Sequence, residues 1–241
     1  MNIIRCKDYS EVSNLGARIV KDQIKSKPKS VLGLPTGSTP VGMYLELINM
    51  RRKNEVDFGD VTSFNLDEYY PIKRDNKHSF YYFMQNNLFN GINIKKENIY
   101  ILDGNTSHPK AECERYEILI KEKGGIDLQI LGIGQNGHMG FNEPSESLES
   151  LTHLAALTKN TIEANSRFFD NLLEVPTCAL TMGIGTIMKA KRIIILASGE
   201  EKREAVKSLI SGKIITQSPC TLLNVHRDVT LIVDDSALGL S

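Results

Sequence analysis

The sequence lacks an excess of charge of either sign. Its 241 residues include 29 Lys or Arg and 29 Asp or Glu, so the formal net charge is zero. Proteins that hold nucleic acid by bulk electrostatics are typically basic, because phosphate contacts supply much of their affinity. The balance therefore argues against a nucleic-acid partner, and it leaves room for a local cationic pocket that binds a small anion.

The sequence also has few cysteines and no long apolar run. Cys6, Cys113, Cys178 and Cys220 show no C-x-x-C spacing, which favours reduced thiols over a zinc site or a disulfide framework. No stretch of about 18 uninterrupted apolar residues is present, so we expect no transmembrane helix. Residues 1–12 lack the apolar core and cleavage site of a signal peptide. These absences predict a cytoplasmic protein without membrane contact.

Short apolar runs alternate with longer amphipathic stretches along the chain. Strands are predicted at residues 2–6, 30–34, 61–66, 98–102, 126–131, 192–198 and 229–234. Helices are predicted at about residues 10–25, 40–53, 79–89, 109–123, 181–191 and 200–210, with Thr39 as an N-cap. The alternation predicts a Rossmann-like α/β fold, with a mostly parallel sheet and helices on both faces. No linker divides the chain, so we expect one domain over residues 1–241, with its ligand beyond the carboxyl ends of the strands.

The loop after the fifth predicted strand carries a glycine pattern like that of dinucleotide-binding loops. Gly132, Gly134 and Gly137 stand in G-x-G-x-x-G spacing, which resembles a dinucleotide-binding fingerprint. In such a site the third glycine lies in the first turn of a helix, whereas Gly140 and Pro144 oppose a helix here. We therefore reject a dinucleotide site and predict no organic cofactor.

The same loop carries side chains suited to acid–base chemistry, namely Asn136, His138 and Glu143. Histidine transfers protons near neutral pH, and a carboxylate within reach fixes its tautomer and raises its basicity. A lone histidine is more often a core residue bonded to a backbone carbonyl. The polar neighbours and the glycines of this loop favour a catalytic role instead.

The loop after the second predicted strand reads "PTGSTP" and is a candidate anion site. Gly37 allows close approach of a ligand, and Thr36, Ser38 and Thr39 supply hydroxyls next to a helix N-terminus. There is no G-K-[ST] motif, so a nucleotide triphosphate is not expected. A tight strand–helix turn with a Ser or Thr cap is the alternative interpretation.

Adjacent carboxylates follow the third predicted strand. Asp67 and Glu68 are expected at the end of a parallel strand, followed by Tyr69, Tyr70 and Pro71. Such a pair forms either a solvated turn or a catalytic base. The aromatic neighbours favour a dry setting, which would raise a carboxyl pKa toward values useful for a general base.

Cations for a phosphate group are harder to assign from sequence. Arg167 lies among apolar neighbours, and Lys202 lies in the first turn after the strand predicted at residues 192–198, with Arg203 as its alternative. Each is either a surface charge or a phosphate clamp. The remaining histidines show no ligand spacing with cysteines or acids, so we predict no metal: His78, His108, His153 and His226.

Taken together, the stretches "GLPTGSTP", "FNLDEYY", "GIGQNGHMGFNEP" and "ANSRFF" resemble the glucosamine-6-phosphate deaminase family, within the superfamily that also holds 6-phosphogluconolactonases. The stretches occur in family order over nearly the whole chain, and the element ending in "FNEP" is the most specific. The resemblance implies conversion of glucosamine 6-phosphate and water to fructose 6-phosphate and ammonia, without metal or organic cofactor.

The resemblance also implies roles for individual residues. His138 would assist ring opening, oriented by Glu143 and Asn136, and Asp67 would move the C2 proton to C1. Gly37, Ser38, Thr39, Arg167 and Lys202 would hold the phosphate. Residues 151–178 would include a lid over the sugar.

The chain departs from the family's longer, allosteric members in three places. Position 136 is Asn where many have Asp, which puts a strict His–Asp–Glu relay in doubt. His153 and Ala155 stand where allosteric members carry Arg and Lys, so we expect no activation by N-acetylglucosamine 6-phosphate. The chain ends at Ser241, soon after the last predicted strand, and we expect a monomer or a small homo-oligomer.

Two other functions compete with a deaminase. A 6-phosphogluconolactonase-type hydrolase would use the same phosphate loop and histidine but would not need Asp67. A sugar-phosphate sensor would need a DNA-binding extension, for which neither terminus has room.

Overall fold

The computed structural model describes residues 1–166, 169, 171 and 174–240, so the prediction for Arg167 falls outside the described residues. In chain order the strands are β1 (Asn2–Cys6), β2 (Val31–Leu34), β3 (Thr62–Asn65), β4 (Asp67–Tyr70), β5 (Ile99–Tyr100), β6 (Leu128–Gly132), β7 (His153–Ala156), β8 (Cys178–Thr181), β9 (Arg192–Ala197) and β10 (Val229–Asp234). The α-helices are α1 (Tyr9–Ser26), α2 (Val41–Arg52), α3 (Phe80–Asn87), α4 (Pro109–Glu122), α5 (Lys159–Ser166), α6 (Ile184–Met188), α7 (Arg203–Ile210) and α8 (Asp235–Leu238).

The central sheet has 7 parallel strands in the order β1-β10-β9-β6-β2-β3-β5. From β2 the chain moves outward through β3 to β5, and from β6 it moves the other way through β9 to β10. The strand order therefore reverses between β2 and β6. Open parallel sheets bind ligands at such a reversal, beyond the carboxyl ends of the two strands.

Helices cover both faces of this sheet because its inner strands are apolar on both sides. On one face, Val20 of α1 and Met43 of α2 pack in a core with Ile194 of β9. On the other face, Tyr116 of α4 packs in a core with Ile195. Successive residues of a strand point to opposite faces, so β9 serves both cores. The predicted α/β fold, with a mostly parallel sheet and helices on both faces, is confirmed.

Capping residues fix several helix starts. The side chains of Asp8 and Ser79 accept backbone hydrogen bonds at the N-termini of α1 and α3. The prediction of Thr39 as N-cap of α2 is wrong by one residue, because Pro40 occupies that position with φ −78° and ψ −7° and no side-chain cap bond. The fixed φ of proline suits the turn that leads into the helix.

A second, antiparallel sheet of 3 strands, in the order β4-β8-β7, lies beside the first and is not predicted from the sequence. Asp67 and Glu68 therefore begin an antiparallel strand rather than ending a parallel one, which corrects the sequence-based expectation. Thr181 ends β8, so the helix predicted over residues 181–191 is limited to α6. Leu66 joins the two sheets: its N–H donates to Leu34 O at 3.2 Å, and its carbonyl accepts from Met182 N at 2.8 Å.

The segment expected to include a lid, residues 151–178, contains β7 and α5. Among the described residues, no helix combines the length and the apolar character needed to cross a membrane.

Candidate active site

A cavity of about 700 Å³ opens where the order of the parallel strands reverses. The loop after β2 forms one wall, the loop after β6 forms another, and the first residues of β4 and α3 close the side. The sequence-predicted residues that line it are Gly37, Ser38, Thr39, Asp67, Asn136, His138 and Lys202. Glu143, the remaining described member of the predicted set, lies behind Asn136 and His138.

The loop after β2 presents backbone donors to the cavity. Within the described residues, the backbone N–H groups of Thr36, Gly37, Ser38 and Thr39 donate no hydrogen bond, and all four residues line the cavity. Gly37 has φ +88°, and apart from Gly37 and its two chain neighbours no atom of the described residues lies within 4 Å of the position that a Cβ would take. Successive N–H groups in such a turn, next to the N-terminus of α2, form a concave site for an anion.

Tyr9 of α1 braces this loop from outside the cavity. Its hydroxyl donates to Ser38 O at 3.1 Å and accepts from Gly42 N at 2.8 Å. The Gly42 N–H belongs to the first turn of α2, which has no side-chain cap of its own. The tyrosine hydroxyl thus bridges the loop to the helix and uses one donor that does not face the cavity.

The structure separates the two cations that follow β9. Lys202 lines the cavity, at the end of a 3₁₀ turn from Glu200 to Lys202. Arg203 instead lies 3.3 Å from Glu200 Oε1 through Nη2, and its side chain packs against Gly239. Of these two cations, Lys202 is therefore the one in position to meet a bound anion.

The Asp67 carboxyl group is deeply buried, and one of its oxygens lacks a hydrogen-bond partner among the described residues. Its side chain is 6% exposed, and Oδ1 has no hydrogen-bond partner among the described residues. Burial, with the neighbouring charge of Glu68, raises the pKa of Asp67 to about 8. Gly140 of the histidine loop approaches closely, since a Cβ there would lie 3.3 Å from Asp67 Oδ2. A carboxyl group in this state exchanges a proton readily near neutral pH.

Glu68, the adjacent carboxylate, has a different environment. It accepts hydrogen bonds from the backbone N–H groups of Tyr69 at 2.9 Å, Phe80 at 2.8 Å and Tyr81 at 2.8 Å. Burial raises the pKa of Glu68 to about 7, although these bonds oppose the shift. Glu68 thereby fixes the start of α3 against β4.

Three side chains of the loop after β6 form a connected hydrogen-bond array. His138 Nδ1 lies 2.8 Å from Asn136 Oδ1 and 3.5 Å from Glu143 Oε1. Asn136 Nδ2 donates to Glu143 Oε2 at 2.8 Å, and Thr161 donates to Glu143 Oε1 at 2.5 Å. Partial burial alone would raise the pKa of Glu143, but the hydrogen bond and charge of His138, with hydrogen bonds from Thr161 and Asn136, lower it to about 2.

The array determines which nitrogen of His138 carries a proton when the ring is neutral. A carboxylate only accepts hydrogen bonds, so the Asn136 amide must point its NH₂ group toward Glu143. Its oxygen then faces His138 Nδ1, which must donate. Nε2 is left unprotonated and available as a base. An asparagine at position 136 is therefore sufficient to orient the imidazole.

The glycines of this loop make room for protein side chains. A Cβ at Gly134 would lie 2.2 Å from His138 Cε1, and one at Gly137 would lie 2.4 Å from Ser218 Oγ. Gly137 and Gly140 also have positive φ values of +84° and +58°. In the G-x-G-x-x-G pattern the second glycine makes room for the histidine and the third for Ser218, and no helix starts at the third glycine.

Several residues that line the same cavity are not predicted as site residues from the sequence. They are chiefly aromatic: His78, Phe80, Phe83 and Phe169, together with Thr161. Tyr69, which the sequence indicates only as a dry neighbour of Asp67, also lines the cavity. The His78 and Phe169 rings stack with centroids 4.3 Å apart, and Tyr69 meets Phe80 at 4.6 Å. The "SFYYF" run at the start of α3 and the aromatic residues after Glu68 are local signals for this wall, whereas the contacts with Phe169 are long-range.

Within the described ranges, no group of three or more His, Cys, Asp or Glu side chains is arranged to hold a metal ion.

Comparison with known proteins agrees with this geometry. A family model described as glucosamine-6-phosphate isomerases/6-phosphogluconolactonase matches residues 9–232. A glucosamine-6-phosphate deaminase of Thermoanaerobacter sp. (strain X514) is 54% identical over 240 residues, which cover 100% of this chain and 95% of that protein. One of Clostridium acetobutylicum is 52% identical over 237 residues, which cover 98% of each chain.

Solved structures show the same relationship. A monomeric glucosamine-6-phosphate deaminase, 44% identical, superimposes with a TM-score of 0.97 over 100% of both chains. A 6-phosphogluconolactonase from Trypanosoma brucei, 19% identical, shares the fold with a TM-score of 0.77 over 99% of this chain and 97% of that one. The chain therefore belongs to the family of glucosamine-6-phosphate isomerases and 6-phosphogluconolactonases.

Proposed function

We propose that this protein is a glucosamine-6-phosphate deaminase, which converts glucosamine 6-phosphate and water to fructose 6-phosphate and ammonia. The observation that carries the proposal is the meeting of an oriented histidine, a buried carboxyl of raised pKa and an anion-binding loop at one cavity. Relatives that are 52–54% identical over nearly the whole chain are named as this enzyme. The lactonase neighbours share only the fold.

The phosphate group of the substrate binds at the loop of Gly37, Ser38 and Thr39. The free backbone N–H groups there and the Lys202 ammonium supply charge-assisted hydrogen bonds, each worth about 1.5–3 kcal/mol. Arg167, which lies outside the described residues, is the further clamp that the family resemblance assigns. Binding at this end of the cavity holds the sugar toward Asp67 and His138.

His138 opens the sugar ring. Its unprotonated Nε2 takes the proton of the anomeric hydroxyl as the bond between C1 and the ring oxygen breaks. The charge that develops on the imidazole is stabilised by Glu143, while the Asn136 oxygen keeps Nδ1 as a donor. The imidazolium returns this proton to the ring oxygen, which stays on C5 as a hydroxyl group, so that C1 becomes an aldehyde and no net proton is gained or lost.

Asp67 then moves a proton between adjacent carbons. In its ionised form it takes the proton from C2 and returns it to C1, through an enolamine intermediate. The product is a ketimine at C2. Water adds to the ketimine carbon, the carbon–nitrogen bond breaks, and ammonia leaves with fructose 6-phosphate as the other product. The C1 oxygen gains a proton as the enolamine forms, and the C2 amino group loses one as the ketimine forms, so the isomerisation is balanced.

The same proposal covers the setting of the reaction. We expect the protein to act as a monomer in the cytoplasm, as one domain, on a small sugar phosphate. The segment 151–178 includes a lid over the cavity. Phe169, which belongs to this segment, lines the cavity. Closure of such a lid excludes water and commits the substrate.

The test is ammonia release from glucosamine 6-phosphate by the purified chain after dialysis against a chelator, with fructose 6-phosphate measured in parallel. Equal amounts of both products are expected. The variants His138→Gln and Asp67→Asn should each lower kcat by about 10²–10⁴-fold, the usual contribution of a general acid or base. No release by the folded protein would contradict the proposal, and 6-phosphogluconolactone would then be the next substrate to assay.

A further inference from the structure

We infer that Thr161 is a positioning residue which ties helix α5 to Glu143, so that the imidazole of His138 is aligned only while α5 lies over the cavity. The inference rests on the proposed function, because it concerns the ring-opening histidine. It assigns to Thr161 a role that acts through Glu143 and does not require contact with the substrate.

The geometry around Glu143 separates local donors from a distant one. Asn136 and His138 belong to the same loop as Glu143. Thr161 is 18 residues further along the chain, and its hydroxyl donates to Glu143 Oε1 at 2.5 Å. In the described part of the chain, it is the hydrogen-bond donor that reaches Glu143 from another element. Glu143 Oε1 is also the oxygen that lies 3.5 Å from His138 Nδ1.

The hydroxyl of Thr161 is not needed to start the helix. Thr158 performs that task, because its Oγ1 accepts the Thr161 N–H at 3.2 Å. The Thr158 hydroxyl in turn donates to Thr161 Oγ1 at 3.0 Å. A hydroxyl that accepts one hydrogen bond becomes a better donor in the next, so Thr158 strengthens the bond to Glu143.

The position of α5 determines whether this bond exists. Ile162, the next residue, packs against the apolar cluster that contains Tyr69, Phe141 and Leu157. When this face of α5 rests on the cluster, Thr161 reaches Glu143 and lines the cavity. If α5 leaves the cluster, Glu143 loses this donor. The array then holds the carboxylate through Asn136 alone, and Oε1 is free to turn toward or away from His138.

The first test compares Thr161→Val, which keeps the shape but removes the hydroxyl, with Thr161→Ser, which keeps the hydroxyl. We expect Val to lower kcat for ammonia release by about 10–100-fold, the usual effect of losing one charge-assisted hydrogen bond. Ser should restore most of the loss. Thr177→Val is the matched control, because Thr177 is exposed and the one hydrogen-bond partner of its hydroxyl among the described residues is Cys178 Sγ, at 4.0 Å. If Thr161→Val does not fold, Thr161→Ala replaces it.

The second test asks whether Thr161 acts through Glu143. In a Glu143→Gln background the acceptor is altered, so adding Thr161→Val should change kcat by less than about twofold. Residues that share one network show such non-additivity, whereas independent residues add. Equal losses from Thr161→Val with and without Glu143→Gln would overturn the inference, as would full activity of Thr161→Val.

A third measurement needs no turnover and separates this inference from the proposed reaction. Histidine labelled with ¹⁵N gives ring signals for the 5 histidines, and His138→Gln identifies the signal of His138. Thr161→Val should shift the tautomer-sensitive ¹⁵N signals of His138, whereas Thr161→Ser and Thr177→Val should not. If His138 shifts but the wild-type chain releases no ammonia, the proposed function fails and the coupling stands. An unchanged His138 spectrum would overturn the coupling even in an active enzyme.

Discussion

Asp67 and Glu68 are adjacent carboxylates with opposite environments. Glu68 accepts three backbone hydrogen bonds and holds α3 in place, whereas Asp67 keeps one buried oxygen without a partner among the described residues. Side chains alternate across a strand, so neighbours in β4 point to opposite sides. One carboxylate therefore serves the fold, and the other remains available for proton transfer at a cost in stability.

The burial of the Asp67 carboxyl predicts how the free energy of unfolding depends on pH. The pKa of Asp67 is about 8 in the fold, above its ordinary value of 3.8. The folded state keeps the proton while the unfolded state releases it, so the free energy of unfolding should fall as pH rises from about 4 to about 8. Asp67→Asn should reduce this fall, to which Glu68 also contributes because its pKa is raised to about 7, and should stabilise the protein at pH 8 by about 1–3 kcal/mol, as measured by urea unfolding.

The exposed Asp22 of α1 provides the control, since Asp22→Asn should leave both stability and activity unchanged. Asp67→Asn should lose ammonia release while it gains stability. A variant that is less stable than the wild type at pH 8 would contradict the burial argument.

The candidate catalytic residues of the histidine loop could be predicted from the sequence, but the hydrogen bonds between them could not. Asn136, His138 and Glu143 stand out because polar side chains interrupt a glycine-rich loop after an apolar strand. The order of the array, with Asn136 between His138 and Glu143, depends on backbone turns at Gly137 and Gly140. Thr161 gives no signal, because a hydroxyl in an amphipathic stretch is common and its partner is 18 residues away.

At the scale of elements, the anion loop depends on a neighbouring helix. The loop after β2 offers four backbone N–H groups without acceptors among the described residues, and such groups hold their directions only if the loop is rigid. Tyr9, near the start of α1, supplies that rigidity through two hydrogen bonds. The site is thus shared between the β2–α2 connection and a helix that contributes no direct contact to the cavity.

Removing the Tyr9 hydroxyl should therefore weaken anion binding without affecting proton transfer. Tyr9→Phe should raise KM for the sugar phosphate and the Kd of inorganic phosphate by a similar factor of about 3–10, the value of one neutral hydrogen bond. We expect kcat to stay within about twofold of the wild type. Calorimetric titration with inorganic phosphate and steady-state kinetics measure the two effects.

Tyr82→Phe is the matched control, because Tyr82 is 43% exposed and its hydroxyl makes no hydrogen bond within the described residues. A Tyr9→Phe variant that binds phosphate as tightly as the wild type would show that the loop is rigid without the tyrosine.

The elements of the parallel sheet could be predicted, whereas those of the second sheet could not. Strands such as β9 and β10 are continuous apolar runs, which is typical of a parallel sheet buried on both faces. The strands β4, β7 and β8 have 4 residues each and mix charged, aromatic and small side chains. Their pairing joins residues far apart in sequence, such as Asp67 with Thr181, and no local pattern encodes it.

At the scale of the whole molecule, the cavity is built between the two sheets. The parallel sheet supplies the anion loop and the histidine loop, at the point where its strand order reverses. The antiparallel sheet supplies Asp67, and its strand β7 leads into α5. Leu66 belongs to the hydrogen-bond networks of both. The fold itself is shared with lactonases at 19% identity, so the reaction is specified by the side chains at this junction rather than by the architecture.

The protein should behave as a monomer with hyperbolic kinetics. The structurally similar deaminase is monomeric, and the positions that carry cations in allosteric members hold His153 and Ala155. Ala155 is 8% exposed and packs in an apolar cluster, so it offers no site for an anionic effector. Sedimentation velocity should give a single species near 26.9 kDa, and N-acetylglucosamine 6-phosphate should leave the rate curve unchanged.

Sigmoidal kinetics that become hyperbolic when N-acetylglucosamine 6-phosphate is added would contradict this prediction, as would a sedimenting species of several subunits.

The close approach of Gly134 to the His138 ring has a consequence for how such sequences are classified. A Cβ there would occupy the place of the imidazole, so any chain that keeps this histidine arrangement must keep the glycine. The middle glycine of a nucleotide-binding signature is thus required here by the space that the His138 ring occupies. A search by pattern alone would sort this chain among nicotinamide-dependent enzymes. In this chain His138 follows the third glycine, whereas a dinucleotide-binding site has a helix there.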